Sequence, residues 1–310
     1  MIVAAGLGTR VRPLTHLRPK PALPVRGLPL VAYPLAQLAA LGVTEVVINT
    51  HHLPDVLIAA AEASRPPGLR LHFSFERELL GTGGGIRRAA AFLRESDPCL
   101  ILGGDMLLDY DLAGLVARHR RRADAATVLL SDDPRARSFG TIGIDVDGRV
   151  RRIGSRFDLG GETQAGVYCW ANVIAARAFD WLPDREAFGH LDDWLAPALA
   201  AGHDDIRAEL ARPKDCLWEP VGTPAEYLAA NLSPLRLSYL DADAEAVARG
   251  ARFEPGLVIG AGARLGAGAR LERAVVWDGE DVPAGFTGAD GVYAGGRFHP
   301  CEPDPASGAA

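Results

Sequence analysis

Lysine is almost missing from this chain. Of 33 basic residues only Lys20 and Lys214 are lysines, so a compact ammonium was kept at those two places where arginine's planar fork serves everywhere else. Lys20 stands between Pro19 and Pro21, just after a glycine-rich segment, and is on that ground the first candidate for chemistry. Cysteine is sparse too. Cys99, Cys169, Cys216 and Cys301 lie far apart with no Cys-x-x-Cys spacing, which argues against a zinc site and predicts reduced thiols, with Cys99 and Cys169 buried in apolar strands. Long apolar runs are absent: the best, Leu28 to Leu41, is broken by Pro29, Pro34 and Gln37, short of the ~18 residues a span requires. A secretory leader is not expected, because Gly6, Thr9 and Arg10 arrive before an apolar segment can form. The expectation is a cytoplasmic chain with no membrane partner. Excess positive charge is lacking as well. With 23% charged residues and a net charge of −6, general affinity for nucleic acid or anionic lipid is not expected, and the partner should be small, anionic and met by local cations.

What is present begins at the first residues. The 310 residues, 48% of them hydrophobic, suffice for one large domain or two modest ones. A short apolar run, Met1 to Ala4, leads directly into Gly6-Leu7-Gly8-Thr9-Arg10. Such a strand-to-loop transition lets bare backbone approach a ligand closely. Successive N–H groups form an anion-binding concavity there, to which Thr9 adds a hydroxyl and Arg10 a permanent charge. A dinucleotide fingerprint would need a third glycine where Val11 stands, and a Walker loop would need Gly-Lys-Ser/Thr; neither is found.

The segment Gly6-Leu7-Gly8-Thr9-Arg10, with Pro13-Leu14-Thr15 and Pro19-Lys20-Pro21, resembles the signature of the sugar-1-phosphate nucleotidyltransferases. The resemblance covers nearly the whole chain. It implies an α/β fold, a Rossmann-like nucleotidyltransferase domain with a mixed, mostly parallel sheet, and transfer of a nucleotidyl group from a nucleoside triphosphate to a sugar 1-phosphate. Ala4, Ala5, Gly6, Gly8, Thr9 and Arg10 would then bind nucleotide, with Arg10 and Lys20 catalytic. Family members begin several residues earlier, so the first strand is short by comparison.

Helix and strand patterns alternate through the first half. Leu30 to Leu41 is helical and stops at Gly42, Glu45 to Thr50 is a buried strand, Leu53 to Ser64 is helical, and Leu69, Leu71, Phe73 and Phe75 mark a half-exposed strand. His51-His52 caps a strand and is not expected to hold metal. Leu80-Gly81-Thr82-Gly83-Gly84-Gly85 feeds a helix expected over Ile86 to Arg94, and the resemblance places Gly81, Thr82 and Gly83 against the base and ribose. A buried strand, Cys99 to Leu102, ends at Gly103-Gly104-Asp105, where a carboxylate beside phosphate could hold Mg²⁺; Asp105 also matches the family's metal-binding aspartate. Asp111 reads as the N-cap of a helix to Arg122.

Phe139 to Ile153 reads as a hairpin turning in type I′ at Asp147-Gly148. By resemblance Gly140 contacts the sugar, Glu162 and Gln164 bind its hydroxyls, and Ser155-Arg156 stands where the family shows Glu-Lys. Helical segments are expected at Val173 to Leu182 and Asp192 to Ala201. Cys216 to Pro224 departs most: in Trp-x-Asp-x-Gly-Thr-Pro the aspartate is a second metal ligand, and here that position is Pro220.

From Ser238 the character changes. Ile259, Leu265 and Leu271 recur every sixth residue, the signature of a left-handed parallel β-helix of about two turns built from hexads. The expected organisation is a catalytic domain over 1–235, a linker over 236–250, a β-helical domain over 251–297 covering an apolar face or pairing subunits as a homo-oligomer, and a disordered tail over 298–310. The tail resembles mannose-1-phosphate guanylyltransferases. Thr82-Gly83-Gly84-Gly85 is closer to uridylyltransferases acting on N-acetylmuramate 1-phosphate or related sugars. With Pro220 and Ser155-Arg156 removing polar contacts, a regulatory or nucleotide-sugar-binding subunit of the same fold is the reading from another class.

Overall fold

The computed structural model of the protein describes residues 1–134 and 140–301. Its centre is a ten-stranded mixed sheet. Arg70–Phe75, Glu45–Thr50, Ile2–Val3 and Cys99–Gly103 lie side by side and parallel. The helices Ala32–Ala40 and Pro54–Ala63 carry the chain back between strands, which is what parallel pairing requires. Gly42, at φ 77°, stops the first of them as expected. The long strand Gln164–Ile174 then runs antiparallel, pairing with Cys99–Gly103 through one half and Thr141–Ile144 through the other. Its second edge meets Ala126–Ser131, which pairs in parallel with Ile206–Ala211. One apolar layer, including Ile86, Ile101, Val128 and Trp194, fills one side of the sheet. Another, including Ile2, Leu35, Ile48 and Leu57, fills the other. The α/β fold with a mixed sheet is the one expected.

Parallel pairing decides where chemistry can sit. Ile2 lies opposite Leu102 and Val3 opposite Gly103, so the loops leaving both strands emerge together at the carboxyl edge of the sheet, where open α/β sheets bind ligands. Ile2–Val3 is only two residues long yet central, and the Met1 ammonium donates to Leu100 O at 2.6 Å.

Four local expectations are corrected. The glycine-rich segment does not precede a helix: Gly81–Arg88 is itself helical, and Ala90–Leu93 forms a separate turn. Val173 and Ile174 belong to the long strand, and only Ala176–Trp181 is helical, as a 3₁₀ turn. The hairpin Thr141–Ile144 with Val150–Ile153 exists, but its turn is not type I′, which needs two residues at positive φ; Gly148 has φ 77° and Asp147 does not. The loop is closed instead by Asp145, whose side chain accepts from the Asp147 and Arg149 N–H groups at 2.9 Å. Phe139, at its expected start, lies outside the described residues. Finally, 298–300 are not a disordered tail: Arg297–Pro300 is a strand paired with Thr287–Ala294.

The C-terminal strands form a sheet of their own. Leu257–Ile259, Arg270–Val276 and Thr287–Ala294 stack in parallel, and Arg264–Leu265 stacks on Asp281–Val282 around the corner. Stacked partners such as Arg264 and Asp281 are 17 residues apart, one short of three hexads: the six-residue spacing holds from Ile259 to Leu271 and then loses a residue before Val276. This β-domain does not stand clear of the rest. Val258, Val275, Trp277 and Val292 share one apolar cluster with Val11, Leu14 and Leu23, beneath the glycine-loop segment.

Candidate active site

Gly8 bends the loop at φ 60°, and a Cβ there would come within 2.9 Å of Thr15 Cγ2 and 3.1 Å of Lys20 Cβ. Both the turn and the close approach therefore require glycine. Thr15 Oγ1 donates to Gly8 O at 3.0 Å, and His52 Nε2 donates to Thr15 O at 2.7 Å. His52 thus steadies the loop, and His51 holds Glu76 O at 2.9 Å. The loop's entry is anchored from the strand beside it: the Ala4 N–H donates to Asn49 Oδ1 at 2.7 Å, and Asn49 Nδ2 donates to Glu76 Oε1 at 2.7 Å. Glu76 Oε2 accepts from the Leu80 N–H at 3.1 Å, so one buried chain of bonds ties the glycine loop to the glycine-bearing helix. Ala4's amide is occupied in this way. Those of Gly6, Gly8 and Thr9 take no partner among the described residues.

Ala4, Gly6, Gly8, Thr9, Arg10, Lys20, Thr82 and Asp105 line one cavity of about 250 Å³, joined by Trp170 and Gly222. A larger cavity of about 390 Å³ lies between the helix Pro54–Ala63 and the β-domain. Its cations are already paired, Arg18 with Asp278 and Arg249 with Glu245, so available charge and not volume singles out the smaller one. Arg10 is exposed there and makes no ion pair among the described residues. Lys20 is only 9% exposed, and its Nζ lies 2.8 Å from Asp105 Oδ2. The rare ammonium and the strand-end carboxylate, 85 positions apart in sequence, face each other across the cavity floor.

Gly81 and Gly83 do not line this cavity, and the glycines of the helix have a packing explanation. A Cβ on Gly84 would lie 2.1 Å from Glu186 O, one on Gly83 2.3 Å from the Phe188 ring, and one on Gly85 2.7 Å from Asn49 and Glu76. The helix presses so closely on the Glu186–His190 segment that the Gly83 and Gly84 amides both donate to Phe188 O. Ala5 is buried behind the loop. The expected sugar-side residues also lie off the cavity wall. Gly140 is exposed, Glu162 is held by Arg152 Nε at 2.6 Å, and Gln164 is exposed six residues before Trp170, about 20 Å along the strand at ~3.3 Å per residue.

For a metal ion, Asp105 is the single carboxylate on the cavity among the described residues. Antiparallel pairing sets Pro220 opposite Met106, next to Asp105, where an aspartate could have served. Glu219, one place along, projects from the other face of that strand. Among the described residues no group of three His, Cys, Asp or Glu could hold a metal. One carboxylate nonetheless fits an ion that takes most of its ligands from phosphate oxygens and water, as Mg²⁺ does.

The sequence reading missed Asn49, Glu76, Trp170 and His190. Asn49 carried a signal, being an amide directly after the apolar run Val46-Val47-Ile48 of a buried strand. Trp170 and His190 carried none. His190 is buried, and burial lowers its pKa to about 4, so its imidazole is neutral.

The "Nucleotidyl transferase" family model matches residues 1–236. The chain belongs to that family. Across 92% of this chain it is 34% identical to the mannose-1-phosphate guanylyltransferase of Mycobacterium tuberculosis (strain ATCC 25618 / H37Rv), covering 81% of that protein. Across 74% it is 27% identical to a mannose-1-phosphate guanyltransferase of Aspergillus fumigatus, covering 62% of it. Over 74% it is also 28% identical to a UTP–glucose-1-phosphate uridylyltransferase of Synechocystis, covering 61% of that protein. The chain therefore spans only about three-fifths of these last two relatives. Among solved structures, HddC from Yersinia pseudotuberculosis complexed with GMP-PN superposes with a TM-score of 0.60 at 22% identity, over 74% of this chain and 96% of that one; this likeness speaks for the fold. The family is one of enzymes that transfer nucleotidyl groups, and no helix among the described residues is long and apolar enough to cross a membrane.

Proposed function

We propose that the chain joins a nucleoside triphosphate to a sugar 1-phosphate, releasing pyrophosphate, with GTP and mannose 1-phosphate as the pair. The observation that carries this is the cavity itself: glycine-loop amides without a partner among the described residues, with Arg10, Lys20 and Asp105, around one space of about 250 Å³. A phosphate oxygen of the sugar 1-phosphate attacks the α-phosphorus, and the bond to the bridging oxygen of pyrophosphate breaks as the new P–O bond forms. No covalent enzyme intermediate is needed. The amides of Gly6, Gly8 and Thr9, with Arg10, hold the leaving pyrophosphate, and Lys20 neutralises charge at the reacting phosphates. Asp105, with the nucleotide's own phosphate oxygens, would hold a divalent cation, Mg²⁺, that neutralises charge at the α-phosphate. Gly140, Glu162 and Gln164, off the cavity wall, remain the proposed sugar-binding residues.

The guanine and mannose assignment rests on the relative at 34% identity, named a mannose-1-phosphate guanylyltransferase. Uridylyl transfer, to glucose 1-phosphate or N-acetylmuramate 1-phosphate, is the second reading, favoured by the Synechocystis relative. A regulatory subunit is the third, favoured by Pro220 and by the engagement of Glu162 with Arg152. We keep residues 251–297 as a left-handed β-helix with 236–250 as linker. Its sheet ends in two antiparallel edge strands, Arg252–Glu254 and Arg297–Pro300, and a homo-oligomer through this domain is proposed with it. The deciding experiment incubates the chain with each nucleoside triphosphate, Mg²⁺ and a panel of sugar 1-phosphates and measures pyrophosphate. GTP with mannose 1-phosphate should be fastest. Another pair overturns the base and sugar, and no release with nucleotide-sugar binding retained supports the regulatory subunit.

A further inference from the structure

One wall of the cavity comes from side chains far from the glycine loop. Trp170 lines it with φ 52°, a left-handed backbone rare for a bulky residue, and the pairing of its strand with Ala126–Ser131 shifts register between Tyr168 and Asn172. The irregularity seats the tryptophan against Gly103, where a Cβ would come within 2.9 Å of Trp170 Cβ. Thr82 forms the neighbouring part of the same wall. His190 stands behind both, its ring centre 5.1 Å from that of Trp170 and its Nδ1 2.8 Å from Thr82 Oγ1.

The hydrogens behind this wall follow by elimination. Ile101 O can only accept, so Asn172 donates to it through Nδ2, at 3.2 Å, and turns Oδ1 towards Tyr168. Tyr168, which burial keeps protonated, donates its hydrogen to that Oδ1 at 2.8 Å. Its oxygen must then accept from His190 Nε2–H at 3.0 Å. A neutral imidazole carrying hydrogen on Nε2 leaves Nδ1 bare, and the hydrogen at Nδ1 comes from the Thr82 hydroxyl. Thr82 Oγ1 also accepts from the His190 backbone N–H at 3.0 Å. Its hydrogen and one lone pair are thereby committed, and one lone pair remains.

We propose that His190 is a positioning residue that fixes Thr82 as a hydrogen-bond acceptor for a donor group of the nucleoside, an N–H of the base or an O–H of the ribose, with Trp170 as the flat face beside it. This rests on the nucleotidyl-transfer reading of the cavity and extends it to the chemistry by which the nucleoside is selected. A threonine free to rotate could offer either a donor or an acceptor. This one can only accept.

The test is GTP binding to the full chain by calorimetry without sugar phosphate, so that no turnover is involved, with ITP and 2′-deoxy-GTP as probes that each lack one donor. Thr82→Val keeps the shape and removes the acceptor. His190→Phe keeps a ring and cannot take the threonine hydrogen, whereas His190→Gln offers both an acceptor and a donor. Thr82→Val and His190→Phe should each weaken GTP roughly tenfold, the double variant should be no weaker than Thr82→Val, and His190→Gln should recover most of the loss. The probe missing the contacted donor should bind the native chain as weakly as GTP binds Thr82→Val. Native-like binding by His190→Phe, additive losses in the double variant, or equal weakening of GTP and inorganic tripolyphosphate overturns the proposal. Binding as expected, with no pyrophosphate released when Mg²⁺ and the panel of sugar 1-phosphates are then added, overturns the catalytic reading alone; binding of no nucleoside triphosphate at all overturns both.

Discussion

Lys20 and Asp105 hold each other at 2.8 Å, the lysine nearly enclosed and the carboxylate partly open. Each therefore keeps compensated a charge that nucleotide phosphates, and a cation bound to them, would otherwise meet directly. Removing the ammonium takes away charge stabilisation where negative charge concentrates during transfer. Lys20→Ala is expected to lower turnover by about 10²- to 10³-fold, with a nearly unchanged melting temperature because Asp105 can be solvated. Lys20→Arg should not restore it, since a planar fork cannot take the place of a point charge in so closed a site. Pyrophosphate release alongside thermal melts checks both, and native turnover in Lys20→Ala would remove the lysine from the mechanism. The lysine was legible because the composition made it rare; its partner at the end of a buried strand was legible from the strand's position.

The glycine-bearing helix Gly81–Arg88 shows a conflict between propensity and packing. Alanine is favoured over glycine inside a helix by about 1 kcal/mol, which by itself predicts that Gly84→Ala stabilises. The new methyl would lie 2.1 Å from Glu186 O, a backbone atom of the adjoining segment, and overpacking of that kind costs about 1–3 kcal/mol. Packing should win. Gly84→Ala is expected to lower the urea midpoint and to displace the Glu186 backbone, and a raised midpoint would show that the neighbouring segment yields freely. A second element-scale device is the segment carrying Lys20. Arg18 binds Asp278 of the β-domain through two bonds of 2.8 and 3.0 Å and lies 4.7 Å over the Trp277 ring. Trp277 Nε1 donates to Tyr227 OH, which donates to Pro24 O, so both ends of the Lys20 segment are held. The ion pair is half-exposed and contributes under about 1 kcal/mol. Asp278→Asn should accordingly leave the melting temperature almost unchanged while raising the KM for the nucleotide severalfold. An unchanged KM would show that the β-domain does not steady the loop.

At the scale of the whole molecule, folding buries two histidines that water would let titrate near neutrality. Burial lowers the pKa of His119 and of His190 to about 4. A histidine depressed in this way contributes stability that is fully present above its unfolded value near 6.5 and is lost as the pH falls from there to 4, because the unfolded chain takes up a proton that the folded one refuses. Each contributes on the order of 2–3 kcal/mol across that window. Melting temperature should fall steadily between pH 6.5 and 4, and His119→Asn should flatten the slope. An equally steep profile in that variant would assign the acid sensitivity to other groups. The β-domain belongs to the same scale: Val258, Val275, Trp277 and Val292 share a cluster with Val11, Leu14 and Leu23, so it is part of the core beneath the phosphate loop and its loss would uncover that apolar surface.

By itself the sequence determined what is local. Alternating helix and strand periods, a glycine loop after an apolar strand, a lysine between prolines and an aspartate at a strand end all declare themselves within a few residues, and together they located most of the cavity. Only the tertiary structure decided what depends on distant partners. Thr82 meets His190 across 108 positions and Arg18 meets Asp278 across 260. Gly83 and Gly84 are explained by the Phe188 ring and the Glu186 carbonyl, roughly a hundred residues away, and Gly85 by the Asn49 and Glu76 side chains. The inward turn of Trp170 comes from a register shift that no local pattern encodes. Short-range preferences of the chain select its elements, but which side chains face one cavity follows from how those elements are brought together, and that is set by packing over the whole sheet.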